Sequence, residues 1–89
     1  MSKEIKYSIE FKKQFQKRIL PFPKVRKKFY NRVQLFLDNK TSPLLRDHLL
    51  RGKLQDFRSF SIANDLRIIY QEFDDCYIFL KIGSHNQIY

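Results

Sequence analysis

Cysteine, histidine, glycine and tryptophan are scarce in this chain of 89 residues. It has one cysteine, Cys76, two histidines, His48 and His85, two glycines and no tryptophan. A single cysteine cannot form an internal disulfide, and one cysteine with two histidines leaves too few ligands for a tetrahedral zinc site. We therefore expect no disulfide, no metal, no cofactor and a reducing, cytoplasmic location. The shortage of glycine also argues against a glycine-rich phosphate-binding loop.

Long apolar runs are absent as well. The first residues lack the apolar core of a signal peptide, and no segment approaches the roughly 18 apolar residues of a membrane span. The chain nevertheless contains nine Phe and five Tyr, and hydrophobic residues make up 43% of it. That content is too high for a disordered tail, so we expect one small folded domain over residues 1–89 with no membrane role.

Positive charge is concentrated in the first third of the chain. Residues 1–32 contain eleven Lys or Arg and two Glu, whereas the remainder has seven bases and seven acids. A positive half joined to a neutral half favours a polyanionic partner, and nucleic acid is the leading candidate. The alternative is that these lysines are only the solvated faces of amphipathic helices.

Apolar spacing predicts two N-terminal helices. A short strand over residues 5–8 leads into a helix from Ile9, with Ser8 as its cap and an apolar residue at every fourth position. Pro21 ends that helix, Pro23 begins a second, and Asn39 ends the second. The two helices form a hairpin whose phenylalanine stripe needs a sheet to cover it.

The second half has the alternation of strands. Residues 54–62, 66–73 and 76–82 are rich in β-branched and aromatic side chains, and residues 74–75 form a turn, which predicts an antiparallel meander. In the last strand, alternation places Ile78, Leu80 and Ile82 on one face and Tyr77, Phe79 and Lys81 on the other. The fold class is therefore α+β, with the helical hairpin packed on an antiparallel sheet. One sheet face packs on the helices, and the other carries Lys81 and, past Gly83, His85.

Several segments resemble one protein family. These are Asp47-His48-Leu49-Leu50-Arg51-Gly52, Arg58, Asp65-Leu66-Arg67-Ile68-Ile69-Tyr70, and Ile82-Gly83-Ser84-His85 with the final Tyr89. Together they resemble the RelE/ParE toxin superfamily, in particular its YafQ-like branch, over nearly the whole chain. The resemblance implies two helices packed on a curved antiparallel sheet, and a toxin of a type II toxin-antitoxin system that cuts messenger RNA in the decoding site of the ribosome.

The resemblance also implies site residues and partners. His48, Asp65, Lys81, His85 and Tyr89 fall where that branch has functional residues, although relatives carry His at Ser61, Trp at Leu66 and Arg at Lys81. The implied partners are a cognate antitoxin, the ribosome and its messenger RNA, with operator DNA bound only through the antitoxin. We assign RNA binding to a wider set of cations: Lys12, Lys13, Lys17, Lys27, Lys28, Lys53, Arg58 and Arg67.

Metal-free RNA cleavage needs a base for the 2′-hydroxyl, an acid for the 5′ oxygen and a cation for the phosphorane. We expect His85 to be the acid and either His48 or Asp65 to be the base, because histidine titrates near neutrality. Lys81, with Arg58 as a second candidate, is the expected cation. Tyr89 is expected to stack on or orient a nucleotide.

Some roles stay open between chemistry and structure. His48 could simply anchor its loop on the sheet, Asp65 could be a turn residue, and Arg58 could be a cross-strand partner of a carboxylate. Two other functions also remain open: a ParE-like inhibitor of DNA gyrase, which generally lacks the two histidines, and a basic RNA- or ribosome-binding module without catalysis.

Overall fold

The computed structural model describes residues 3–50 and 57–89. Along the chain its elements are β1 (Glu4–Tyr7), α1 (Ile9–Arg18), α2 (Pro23–Asp38), β2 (His48–Leu49), β3 (Arg58–Ala63), β4 (Leu66–Glu72), β5 (Cys76–Gly83) and α3 (His85–Ile88). Within these residues the sheet has five strands in the order β1-β5-β4-β3-β2. This confirms the α+β class, with two N-terminal helices on a mostly antiparallel sheet.

The helix ends follow from local sequence signals. The Ser8 hydroxyl accepts a hydrogen bond from the Phe11 amide at 2.9 Å and caps α1, as its position predicted. Pro23 lies in the first turn of α2, where its missing N–H costs nothing, and Asn39 is the C-cap. The predicted start of α1 and both predicted ends of α2 are confirmed, whereas α1 ends at Arg18, with Ile19 as its C-cap, before it reaches Pro21.

The sheet agrees with the predicted meander and adds two edge strands. β3, β4 and β5 pair antiparallel in sequence order. β1 pairs with β5 in parallel, so the sheet is not antiparallel throughout. The short strand β2, which the sequence did not indicate, pairs antiparallel with β3 and sets His48 opposite Ser59.

The main hydrophobic core lies between the helices and one face of the sheet. Phe36 of α2 stacks on Phe60 of β3 with ring centroids 4.4 Å apart and meets the edge of Tyr77 at 4.8 Å. Phe29 joins α2 to α1 through Phe15 at 5.0 Å. The expected burial of the phenylalanine stripe is thus confirmed at these positions.

The predicted faces of β5 need a correction. Ile69 pairs with Lys81 and Tyr70 pairs with Phe79, so one extra residue of β5 interrupts the ladder. Such a bulge breaks strict alternation. As a result Tyr77, Phe79 and Ile82 all belong to the main core, whereas the prediction placed the two aromatic residues on the opposite face from Ile82.

The other sheet face, which we call the outer face, carries Ser59, Ser61, Arg67, Ile69 and Lys81. These residues pair across the strands, and they alternate with the core residues Phe60 and Ile68. Ile88 of α3 packs on Ile69 there in a second small cluster with Leu50. α3 therefore covers part of the outer face, while α1 and α2 cover the opposite one.

Side chains of α1 fix the end of β5 that leads into α3. β1 pairs with β5 only as far as Phe79, so the backbone beyond that residue needs other partners. Arg18 donates to the Ile82 carbonyl at 2.7 Å, and the Ile82 amide donates to the Gln14 side chain at 2.7 Å. The start of α3 is thereby held to the core.

Candidate active site

A hydrogen bond ties α3 to the outer face. The Tyr89 hydroxyl donates to the Ser59 Oγ at 2.5 Å, and Ser59 is completely buried. The Tyr89 and His85 rings lie one helical turn apart, with centroids 4.6 Å from each other. Tyr89 therefore positions the exposed imidazole of His85 above the sheet.

His48 reaches the same place from the edge strand. It pairs with Ser59 across β2 and β3, and directly opposed residues project to the same face. The Arg46 carbonyl lies 2.7 Å from the His48 Nδ1. A carbonyl can only accept, so Nδ1 carries the proton and Nε2 of the neutral ring has a free lone pair. A strand pairing, a hydrogen bond and a ring contact thus link His48 to Ser59, Ser59 to Tyr89 and Tyr89 to His85.

A cavity of about 50 Å³ lies beside this chain of contacts. Its polar lining comes from Arg46, His48, Ser59, Ser61 and Arg67. Arg67 pairs with Ser61 across β3 and β4, one row along from Ser59. The cavity is far smaller than the pockets that enclose small molecules. An open depression of this size suits one group of an extended polymer.

Asp65 lies in the turn between β3 and β4, and its side chain reaches α3. Its Oδ1 accepts a hydrogen bond from the His85 backbone amide at 3.3 Å. The contact gives Asp65 a positioning role at the first residue of α3, and it is compatible with the turn role that the sequence left open.

Lys81 lies on the outer face but on the far side of α3. It is in register with Ile69, which is in turn in register with Ser59. Ile88 packs on Ile69, so α3 crosses this row between Lys81 and Ser59. The cations that line the His48 cavity are Arg46 and Arg67, whereas Lys81 borders the helix from the opposite side.

Arg58 belongs to a separate structural cluster on the core face. Its Nε donates to Asp47 at 3.1 Å, and the buried Tyr70 hydroxyl donates to the same carboxylate at 2.7 Å. Burial first, and then the contact with Asp47, raise the pKa of Tyr70 far above its usual value. Of the two open roles for Arg58, these contacts match that of a cross-strand partner of a carboxylate.

The other cations assigned to RNA binding are spread over the helices. Five lysines are exposed there: Lys12, Lys13, Lys17, Lys27 and Lys28. Only Lys28 among these five lines a cleft next to the outer face, between α2 and the turn after β3. Lys53 lies outside the described residues.

Three residues of the site, Ser59, Ser61 and Arg46, were not assigned to it by the sequence reasoning. Ser59 and Ser61 alternate with Phe60 and Ile62, and this alternation indicates a strand with one polar face. No sequence pattern indicated Arg46. Its backbone φ of 50° is a conformation that arginine rarely adopts, so the residue type did not predict it.

Two absences hold within residues 3–50 and 57–89. No group of three or more His, Cys, Asp or Glu side chains is arranged to hold a metal ion. None of the helices there combines the length and apolarity that crossing a bilayer requires.

Comparisons with known proteins give a consistent family. Residues 3–89 match the family described as bacterial toxin of type II toxin-antitoxin system, YafQ. No curated protein matched the chain.

Three solved structures illustrate the likeness. A copper-bound mutant toxin from Helicobacter pylori has a TM-score of 0.77 and 33% identity, covering 100% of both chains. The toxin of the Escherichia coli DinJ-YafQ toxin-antitoxin complex has a TM-score of 0.77 and 24% identity, covering 100% of this chain and 99% of its own. A YoeB/ParE toxin from Agrobacterium tumefaciens shares the fold, with a TM-score of 0.71, 11% identity and coverage of 92% and 98%.

Proposed function

The chain belongs to the YafQ family of bacterial type II toxin-antitoxin toxins, and we propose that it is an endoribonuclease that cleaves messenger RNA on the ribosome. The observation that carries this proposal is the linkage of His48 to His85: His48 pairs with Ser59 across the strands, Ser59 accepts from Tyr89, and the Tyr89 ring contacts His85. It sets two imidazoles on one open face beside a cation, which is what RNA cleavage without a metal requires.

We propose His48 as the base because of the contact at its Nδ1. The Arg46 carbonyl holds the proton on Nδ1, so Nε2 can accept the proton of a ribose 2′-hydroxyl. The 2′ oxygen then bonds to the adjacent phosphorus, and the bond from phosphorus to the 5′ oxygen breaks. His85, as an imidazolium, donates its proton to that leaving oxygen. The products are a 2′,3′-cyclic phosphate and a 5′-hydroxyl.

Arg67 is the cation placed to stabilise the phosphorane. It lines the His48 cavity and pairs with Ser61, the position at which relatives carry a histidine. A guanidinium there supplies positive charge and two parallel donors to phosphate oxygens. Lys81, beyond α3, binds the RNA backbone as a point charge rather than the reacting phosphate.

Tyr89 and Asp65 position the acid. Tyr89 contacts the His85 ring and is anchored on Ser59, while Asp65 accepts from the His85 amide. Their effect is on the orientation of His85, so we assign them no proton transfer. This choice leaves His48 as the base.

Charge distribution supports the ribosome as the place of action. The formal net charge is +9, and the lysines of α1 and α2 are exposed outside the site. Such a surface attracts ribosomal RNA over long distances and gives binding that weakens steeply with salt. We propose that an antitoxin with an acidic segment covers part of this surface, binds operator DNA in place of the toxin, and acts with it in the cytoplasm.

Single-turnover cleavage of a defined messenger on programmed ribosomes tests the proposal. His48→Gln and His85→Gln should each slow cleavage by at least about 100-fold, because each removes a proton transfer. Asn86→Ala is the matched control, since Asn86 is exposed on the same short helix, and should cleave at the wild-type rate.

The other outcomes identify the alternatives. Absence of cleavage by the wild type, together with inhibition of DNA supercoiling, would establish a gyrase inhibitor. Salt-dependent ribosome binding that neither histidine affects, again without cleavage, would establish a binding module. Cleavage that survives both substitutions would refute the assignment of acid and base.

A further inference from the structure

A basic cleft lies beside the candidate active site. It has a volume of about 220 Å³ and lies between α2 and the turn that follows β3. Its cations are Lys28, Arg32 and Arg46, and Ser61 and Asn64 add polar groups. The cleft is open to solvent.

The cleft adjoins the site. Arg46 and Ser61 line both this cleft and the smaller cavity that contains His48 and Arg67. A polymer with one phosphate in the small cavity can therefore place its next groups in the cleft.

The three cations are available to bind an anion. Among residues 3–50 and 57–89, the ion pairs within 4 Å involve Lys3, Lys40 and Arg58, and none involves a cation of the cleft. Arg32 donates one Nη to the Leu44 carbonyl at 2.7 Å, which fixes the guanidinium while its other donors remain.

The backbone at Arg46 points to a role for its side chain. Its φ of 50° is in the left-handed region, which glycine and asparagine adopt with less strain. An arginine there places a long cation between the two cavities, while its carbonyl holds the Nδ1 proton of His48. Strained conformations of this kind cluster at active sites and ligand-binding sites.

We propose that the cleft formed by Lys28, Arg32 and Arg46 binds the phosphates of the RNA strand on one side of the scissile bond. This inference rests on the proposed ribonuclease function and extends it, because it names the path of the substrate away from the histidines. RNA is favoured over an acidic protein segment because Arg46 and Ser61 line both the cleft and the cavity that contains His48.

Binding of an uncleavable RNA tests the path separately from catalysis. The probe is a fluorescent single-stranded oligonucleotide with 2′-O-methyl groups throughout, whose binding is followed by anisotropy between about 50 and about 200 mM salt. Removing a cation that neutralises one phosphate lowers the slope of log K against log salt by about 0.7 for single strands. Lys28→Gln with Arg46→Asn should therefore lower the slope by about 1.4, and asparagine keeps the left-handed backbone accessible.

The matched control removes two positive charges elsewhere. Lys6 and Lys24 are exposed and do not line the cleft. Lys6→Gln with Lys24→Gln should leave the slope close to that of the wild type. Circular dichroism and thermal unfolding establish that both double variants are folded.

The results separate the two proposals. An equal fall in slope for both double variants, or no fall for the cleft variant, would overturn the cleft as the RNA path. The cleft would also be overturned as the RNA path if the cleft variant kept the wild-type slope but bound an acidic antitoxin peptide more weakly. A fall confined to the cleft variant supports the path even where ribosomal cleavage assays are negative, because the binding measurement involves no cleavage.

Discussion

The hydrogen bond between Tyr89 and Ser59 provides the sharpest test of how His85 is positioned. Tyr89→Phe removes the donor and keeps the ring that contacts His85, whereas Ser59→Ala removes the acceptor. The two changes affect opposite ends of one hydrogen bond. The double variant completes a thermodynamic cycle that isolates it.

The structure predicts unequal costs. Ser59 is completely buried, so Tyr89→Phe leaves its hydroxyl without that donor, which costs about 1–3 kcal/mol of unfolding free energy. Tyr89 is 39% exposed, so after Ser59→Ala its hydroxyl can bond water, and the cost is about 0.5–1 kcal/mol. The double variant leaves no unpaired buried hydroxyl. We expect it to be no less stable than Tyr89→Phe alone, so the coupling energy is at least the cost of Ser59→Ala, about 0.5–1 kcal/mol.

Urea unfolding gives the stabilities, and single-turnover cleavage gives the effect on chemistry. If Tyr89 acts by holding His85, both single variants should slow cleavage by similar factors of about 3 to 12, the value of one hydrogen bond. If the tyrosine hydroxyl contacted the RNA directly, Tyr89→Phe would be slow while Ser59→Ala remained close to wild type. That pattern, or strictly additive free energies, would refute the reasoning.

Two further predictions concern carboxylates. Asp65→Asn retains an oxygen that can accept from the His85 amide, so its single-turnover cleavage rate should stay within about threefold of wild type. Asp65→Ala loses that acceptor and should cleave about 3- to 12-fold more slowly. If Asp65 were the general base, both variants would be slower by at least about 100-fold. Glu72 accepts hydrogen bonds first from Lys3 and then from Lys40, which lower its pKa in the folded state. Its contribution to stability is therefore full above the unfolded pKa of about 4.3 and is lost as the pH falls through the lower folded pKa. Because Glu72 and its lysine partners are partly exposed, Glu72→Gln should lower the free energy of unfolding by no more than about 1 kcal/mol at pH 7. The difference between the variant and wild type in thermal unfolding should shrink towards about pH 3. A difference in unfolding temperature that persists at that pH would contradict the charge-based explanation.

The N-terminal helices could be predicted because their signals are local. Ser8 caps α1 and Pro23 begins α2, and neither depends on residues far along the chain. The antiparallel order of β3, β4 and β5 followed from turns between adjacent strands. The parallel pairing of β1 with β5 joins residues some 70 positions apart, and no local pattern encodes it.

The faces of β5 could not be read correctly from alternation alone. One inserted residue between the pairs of Phe79 and Lys81 shifts the strand, and it lets Phe79 and Ile82 enter the same core. Whether β5 alternates strictly or contains a bulge depends on how β4 and α1 pack against it. Similarly, β2 has only two residues, and its pairing of His48 with Ser59 is visible only once β3 is in place.

Gly83 shows why the site depends on the core. A Cβ at this position would meet the Arg18 guanidinium, and it would lie 2.8 Å from the Gln87 Oε1 and 3.0 Å from the Ile88 Cγ2. Arg18 holds the end of β5, while the Gln87 Oε1 accepts from the Ser84 amide at 2.7 Å and caps α3. Only a residue without a side chain lets both hydrogen bonds form at one point. The close approach therefore directs the chain back across the outer face, so that Tyr89 reaches Ser59 and holds His85 on the side of the sheet that carries His48.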